Sequence, residues 1–244
     1  IDTARATELY GKMGPAREIS GGSAANTIAG LAALGSRTAY VGKVKDDQLG
    51  AIFAHDLRAQ GADYDTPLAP ASHTAETGRC MVLVSPDHER SMNTYLGIST
   101  DLGPEDVPDE VASAAKIMFL EGYLFDKDKG KEAFLKAARA CRAAGGRVGI
   151  ALSDPFCVDR HRADFRQLVA NEMDYVIGNE QEWTSLYQVN DLDEALALAA
   201  AHVMGEAVAH PLQGVSVEQF FNPVAASGAP KAIDRCHKAH VFAD

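Results

Sequence analysis

Two short clusters combine glycine, amide and carboxylate groups at spacings that suit ligand chemistry. The first is Gly21-Gly22-Ser23-Ala24-Ala25-Asn26. Adjacent glycines let the backbone approach a ligand closely, and the helix that follows offers N–H donors at its start. Asn26 adds an amide that donates and accepts, which suits sugar hydroxyls. The same residues also read as a turn and cap before a helix-buried Asn. The second cluster is Asn179-Glu180-Gln181-Glu182, just after a short apolar run. Asn179 and Glu182 could organise Mg²⁺ through water near nucleotide phosphates, because Mg²⁺ keeps its waters and uses few carboxylates. Carboxylates at a helix start are equally what the macrodipole favours.

Four weaker features stand beside these. Arg90 offers positive charge to an anionic substrate or transition state, or is a solvated strand residue. Ser153-Asp154-Pro155 reads as a turn, and Asp46-Asp47 as a helix N-cap rather than a metal pair. His237 and His240 have no third metal ligand nearby in sequence. Neither G-x-x-x-x-G-K-[ST] nor a G-x-G-x-x-G after a strand occurs, so no familiar nucleotide loop is read.

The elements that must position these residues follow from periodicity. Residues 24–34 form an Ala-rich apolar stretch closed by Gly35, read as a helix, and 38–44 read as a strand. Leu49, Ile52, Phe53 and Leu57 recur at helical spacing before Gly61. Runs 79–85 and 89–96, joined by Ser85-Pro86-Asp87, predict a hairpin. Thereafter helices at 104–115, 129–144, 159–171, 180–187 and 192–202 alternate with strands at 116–120, 147–152 and 175–177. Such alternation predicts a mostly parallel sheet covered by helices, with ligands outside the carboxyl ends of the strands. Those ends are Glu121-Gly122-Tyr123, Ser153-Asp154-Pro155 and Gly178-Asn179-Glu180. From about Gly205 the texture changes, and no element is assigned over 205–244.

Composition bounds the rest. The 244 residues, 46% hydrophobic and 23% charged, suit one large globular domain. A net charge of -11 argues against nucleic acid and anionic membrane as partners. It also requires local positive potential wherever a phosphate binds. No run of about 18 apolar residues predicts a membrane span. The start at Ile1 lacks the basic-then-apolar pattern of a secretory signal and is not Met, so upstream chain is expected to be missing. Cys80, Cys141, Cys157 and Cys236 are widely spaced, which predicts reduced thiols and a cytoplasmic location.

Taken in order, the segments resemble the ribokinase (PfkB) family of sugar and nucleoside kinases, nearest in character to its bacterial adenosine-kinase-like branch. Gly21 to Asn26, Leu34-Gly35 and Val41-Gly42-Lys43-Val44-Lys45-Asp46-Asp47-Gln48-Leu49-Gly50 resemble the first signature. The later segments begin at Glu89-Arg90-Ser91, Glu121-Gly122-Tyr123-Leu124, Leu152-Ser153-Asp154-Pro155-Phe156 and Asn179-Glu180-Gln181-Glu182.

The resemblance implies an α/β fold, a ribokinase-like three-layer sandwich with a mostly parallel central sheet and a small β lid. The lid would come from roughly 8–20 and 78–97 of a single incomplete kinase domain spanning 1–244, in which 205–244 stays unassigned. It implies transfer of the ATP γ-phosphate to a primary hydroxyl, with ATP and Mg²⁺ as cofactors. Adenosine would be the first acceptor and ribose or another sugar the next, the alternative being an inactive binding module. Gly21, Gly22 and Asn26 would hold the sugar, with Arg90 on the substrate and Tyr123 and Leu124 flanking it. Asn179 and Glu182 would serve the Mg²⁺–ATP side, Glu182 through water. A homodimer through the lid is also implied. Three departures stand out: Lys45 replaces a usual Gly, Ile28 a small residue, and the first strand with its sugar-binding Asp is not found. The family's Asp-Thr-x-Gly-Ala-Gly-Asp loop, source of the base and the anion hole, has no match either, so no catalytic base is assigned.

Overall fold

Helical periodicity and short β-forming runs become two sheets and their covering helices in a computed structural model, which describes residues 1–200, 206–209 and 239–242. The elements are α1 (Thr3–Lys12), α2 (Ser23–Ala33), β1 (Thr38–Val41), α3 (Gln48–Ala59), β2 (Ala62–Asp63), β3 (Arg79–Val84) and β4 (Arg90–Tyr95). Then come α4 (Asp109–Ala114), β5 (Ile117–Glu121), α5 (Asp128–Ala143), β6 (Arg147–Ala151), α6 (Pro155–Asn171), β7 (Tyr175–Gly178), α7 (Glu180–Tyr187), α8 (Leu192–Ala200), β8 (Glu206–Ala209) and β9 (Ala239–Phe242). Among the described residues the larger sheet runs β2-β1-β9-β5-β6-β7-β8, and its pairings are parallel.

Side-chain alternation along the strands explains the layers. On β5, Met118 and Leu120 enter one core cluster with Phe134, Phe165 and Trp183, while Phe119 packs against another. On β1, Val41 joins the first cluster and Tyr40 the second. Period-two alternation sends these neighbours to opposite faces. The second cluster unites α2 and α3 through Ala24, Ile28, Ala54 and Leu57. Helices α4 to α8 supply the first. The result is the expected three-layer α/β sandwich.

Several boundaries move for local reasons. The strand expected over 38–44 stops at Val41, and Gly42 O instead accepts from Tyr64 Oη at 2.9 Å. The helix expected over 104–115 splits into a 3₁₀ turn at Pro104–Asp106 and α4. Pro108 between them caps α4 with extended backbone, since proline cannot continue a helix it enters from the N-terminal side. Helix α6 starts earlier than expected, at Pro155, because Asp154 Oδ1 accepts from Cys157 N at 2.7 Å and Pro155 suits the first helical position.

The 79–96 hairpin forms as read, Arg79 opposite Tyr95 and Val84 opposite Arg90. Residues 8–20, expected to contribute to the lid, form no strand: 8–12 end helix α1 and 13–20 are irregular. Helix α1 packs on the hairpin through Ala6, Met81 and Tyr95, and the Ile1 backbone nitrogen donates to Thr94 O at 2.8 Å. In the unassigned stretch β8 pairs with β7, and β9 lies between β1 and β5. His237 and residues 210–238 lie outside the described residues. No helix among the described residues is long and apolar enough to cross a membrane.

Candidate active site

Strand β5 is apolar until its last residue, Glu121, which is 4% exposed. A buried carboxyl group must be hydrogen-bonded. Ser23 Oγ, at the start of α2, donates to Glu121 Oε2 at 2.6 Å. Ser153 Oγ, just beyond β6, donates to Glu121 Oε1, and the Gly122 N–H also faces the carboxyl group. Burial pushes the Glu121 carboxyl up, against the pull of the two hydroxyls and this N–H. Glu121 therefore joins the Gly21-Gly22 turn to the ends of β5 and β6.

The backbone here is tightly specified. Gly22 has φ 118° and ψ 140° as the N-cap of α2, a region that side-chain-bearing residues avoid. A Cβ on Gly122 would lie 2.6 Å from Ala151 O, so this close approach of β5 to β6 requires glycine. Ser153 carries φ 73°, a left-handed conformation that costs on the order of 1–3 kcal/mol outside glycine. Its carbonyl accepts from Tyr123 Oη at 3.2 Å.

At the end of β7, Asn179 and Glu182 form a capping box. Asn179 Oδ1 accepts from Glu182 N at 2.9 Å, while Glu182 Oε2 accepts from Asn179 N at 3.0 Å and Oε1 from Asn179 Nδ2 at 2.8 Å. Burial raises the Glu182 carboxyl to about 7; the Asn179 N–H pulls it down, while Glu121 and Asp154 push it up. Three carboxyl groups thus converge electrostatically at the ends of β5, β6 and β7. Among the described residues no three His, Cys, Asp or Glu side chains are grouped to hold a metal ion. Both Glu182 oxygens already accept from Asn179, an arrangement compatible with a hydrated Mg²⁺ held at one remove.

The residues singled out by sequence do not all meet. Gly21, Gly22, Tyr123, Asn179 and Glu182 lie at strand or helix ends on the carboxyl side of the sheet. Asn26 is one turn into α2 and half-buried, its N–H donating to Gly22 O at 2.8 Å. Leu124 departs from its expected role. It is 3% exposed within the main core, because the 3₁₀ turn after β5 points it inward, so it presents no surface to a ligand. Arg90 opens β4 at the exposed turn end of the hairpin. Asp47 is the N-cap of α3, as read, with Oδ1 accepting from Gly50 N at 2.8 Å. Glu121, Ser23 and Ser153 stand within the sequence motifs, yet the motifs give them no role. The available signal was a carboxylate closing a wholly apolar strand, a pattern a solvated Glu does not need.

Residues 5–212 match the pfkB family of carbohydrate kinases. A curated relative, the 5-dehydro-2-deoxygluconokinase of Halalkalibacterium halodurans, is 28% identical over 75% of this chain and 57% of its own length. Among solved structures, the adenosine kinase from Sinorhizobium meliloti is 47% identical with a TM-score of 0.79, covering 86% of this chain and 64% of that one. A protein from Rhizobium etli CFN 42 described as a probable sugar kinase is 49% identical with a TM-score of 0.80, covering 86% and 63%. The chain thus spans somewhat over half the length of these relatives. With the match extending over most of its residues and the three-layer fold shared, this chain belongs to the pfkB family of carbohydrate kinases.

Proposed function

We propose that the protein phosphorylates the primary hydroxyl of a nucleoside or sugar at the expense of Mg²⁺–ATP, with adenosine as the first acceptor to test. The observation that carries this reading is the 47% identity over 86% of the chain to an adenosine kinase. The site supports it locally. The Gly21-Gly22 turn offers backbone N–H groups and close approach, while half-buried Tyr123 and exposed Phe156 offer aromatic surface for a base beside the strand ends. On the nucleotide side, Asn179 and Glu182 would orient water around Mg²⁺. Catalysis by these residues would be positioning and charge stabilisation.

The test is ADP release by the full protein with MgCl₂, ATP and single acceptors: adenosine, ribose and 5-dehydro-2-deoxygluconate. Adenosine is expected to give the highest kcat/KM. A preference for the sugar acid would move the acceptor toward that of the curated relatives, and no turnover with a broad panel would overturn the kinase reading.

A second reading is a catalytically inactive module of the same fold that binds the acceptor at the Gly21-Gly22 turn. It predicts thermal stabilisation by acceptor without ADP release. Pairing of two copies through the hairpin is proposed as well, supported by exposed Val82, Val84 and Met92 on β3 and β4. Sedimentation of a V84K/M92K variant as a monomer, against a dimeric parent, checks it.

A further inference from the structure

Helix α2 begins without a cap of its own. Gly22 brings no side-chain hydrogen bond to the first turn, and nothing lies within 4 Å of where a Gly21 Cβ would be. Neither local capping nor packing of Gly21 thus fixes the turn expected to touch the acceptor. Other elements supply the tethers: before the turn Ser20 Oγ donates to Asp56 Oδ2 on α3 at 2.5 Å, and after it Ser23, exposed on the surface, reaches Glu121 at the buried end of β5. The other oxygen of that carboxyl group takes the Ser153 hydroxyl from the β6–α6 junction. Ser153 holds left-handed backbone while making this bond, and its carbonyl is the acceptor for Tyr123 Oη. One carboxyl group therefore sets the relative position of three pieces: the glycine turn, the residue before the α6 cap, and, through Ser153, the Tyr123 ring.

We propose that Glu121 is a positioning residue for acceptor binding, clamping the Gly21-Gly22-Ser23 turn to the β6–α6 junction through the Ser23 and Ser153 hydroxyls. The part concerning the acceptor rests on the kinase reading above; the clamp itself does not. Ser23 and Ser153 act through Glu121 rather than on the phosphoryl group. A closed pair of hydroxyl bonds on one buried carboxyl group resists rotation of either partner, so losing either arm frees the turn.

The test uses the full protein and the variants S23A, E121A, E121Q and S153G. Amide exchange at Asn26, whose N–H closes the first turn onto Gly22 O, reports the clamp without any activity. S23A and E121A are expected to speed that exchange about tenfold or more, the equivalent of one lost hydrogen bond to a buried group. The Gln side chain keeps a carbonyl acceptor, so E121Q is expected to recover most of the protection. In kinetics S23A and E121A should raise KM for adenosine by a similar factor while KM for MgATP stays within about twofold.

S153G separates clamp from backbone strain: relief of the left-handed backbone offsets the lost hydroxyl bond, so it should melt near the parent temperature yet bind acceptor more weakly. Since Ser23 is exposed, S23A decides the matter even if E121A does not fold. Unchanged exchange in S23A overturns the clamp, and faster exchange with unchanged acceptor KM overturns the positioning role. Faster exchange in a protein that turns over no acceptor sinks the kinase reading and leaves the clamp standing.

Discussion

At the scale of single residues, glycine and cap positions carry measurable consequences. Gly22 sits at φ 118°, so G22A should cost about 1–3 kcal/mol, read in urea denaturation. Acceptor KM should rise with it, because the same turn faces the proposed ligand. A loss of stability with unchanged KM would remove the turn from the site. Asn179 and Glu182 hold each other in a reciprocal cap. N179A should cost about 1 kcal/mol and raise KM for MgATP more than KM for adenosine. The opposite split would place the pair on the wrong side of the site.

At the scale of elements, the chain ties its helices to the hairpin through side chains that double as caps. Asp47 caps α3 and also accepts from Thr77 N at 3.0 Å and from Thr77 Oγ at 2.7 Å, just ahead of β3. Burial pulls the Asp47 carboxyl upward, but the Thr77 and Gly50 N–H groups and the Thr77 hydroxyl outweigh it and hold the group below the usual carboxylate range. A lowered acid binds fewer protons folded than unfolded, so its contribution is present above the ordinary carboxylate range. It is lost as pH falls through the lowered folded value. D47A should therefore cost about 1–2 kcal/mol at neutral pH, and the gap to the parent should narrow on acidification. Melting temperatures measured from pH 7 down to pH 3 check both parts; a gap that widens in acid would reject this account.

At the scale of the whole molecule, a largely buried ion pair ties the sheet to the turn before α4. Lys43, just past β1, meets Asp106 at 2.7 Å, with side chains only 16% and 9% exposed. Asp106 also accepts from Gly103 N at 3.0 Å. The pair joins the sheet to the turn that leads into α4. Removing one member strands a buried charge, so D106A should lose about 3–5 kcal/mol. The double variant K43M/D106L should recover much of that, because the uncompensated charge is gone. Chemical denaturation of the parent, K43M, D106L and K43M/D106L completes the cycle; additive losses would mean the two charges do not interact.

The sequence by itself settled the alternation of strands and helices, the hairpin, the cap at Asp47, and the glycine turn before α2. Each is a local matter: periodicity, turn chemistry and hydrogen bonds that span a few residues. What remained out of reach was nonlocal. No pattern within Ala239–Phe242 says that it pairs with β1 on one side and β5 on the other, because central strands owe their place to partners far away in the chain. Leu124 looked like a ligand neighbour by its motif, but the packing of Phe125, Phe134 and Phe165 draws the turn inward. The role of Glu121 was likewise invisible, since its hydroxyl partners lie 98 and 32 residues away. Sequence chose the residues at each strand end; only the tertiary structure decided which of them bond to one another, because hydrogen bonds of a buried carboxyl group are made by whatever the fold brings within about 3 Å.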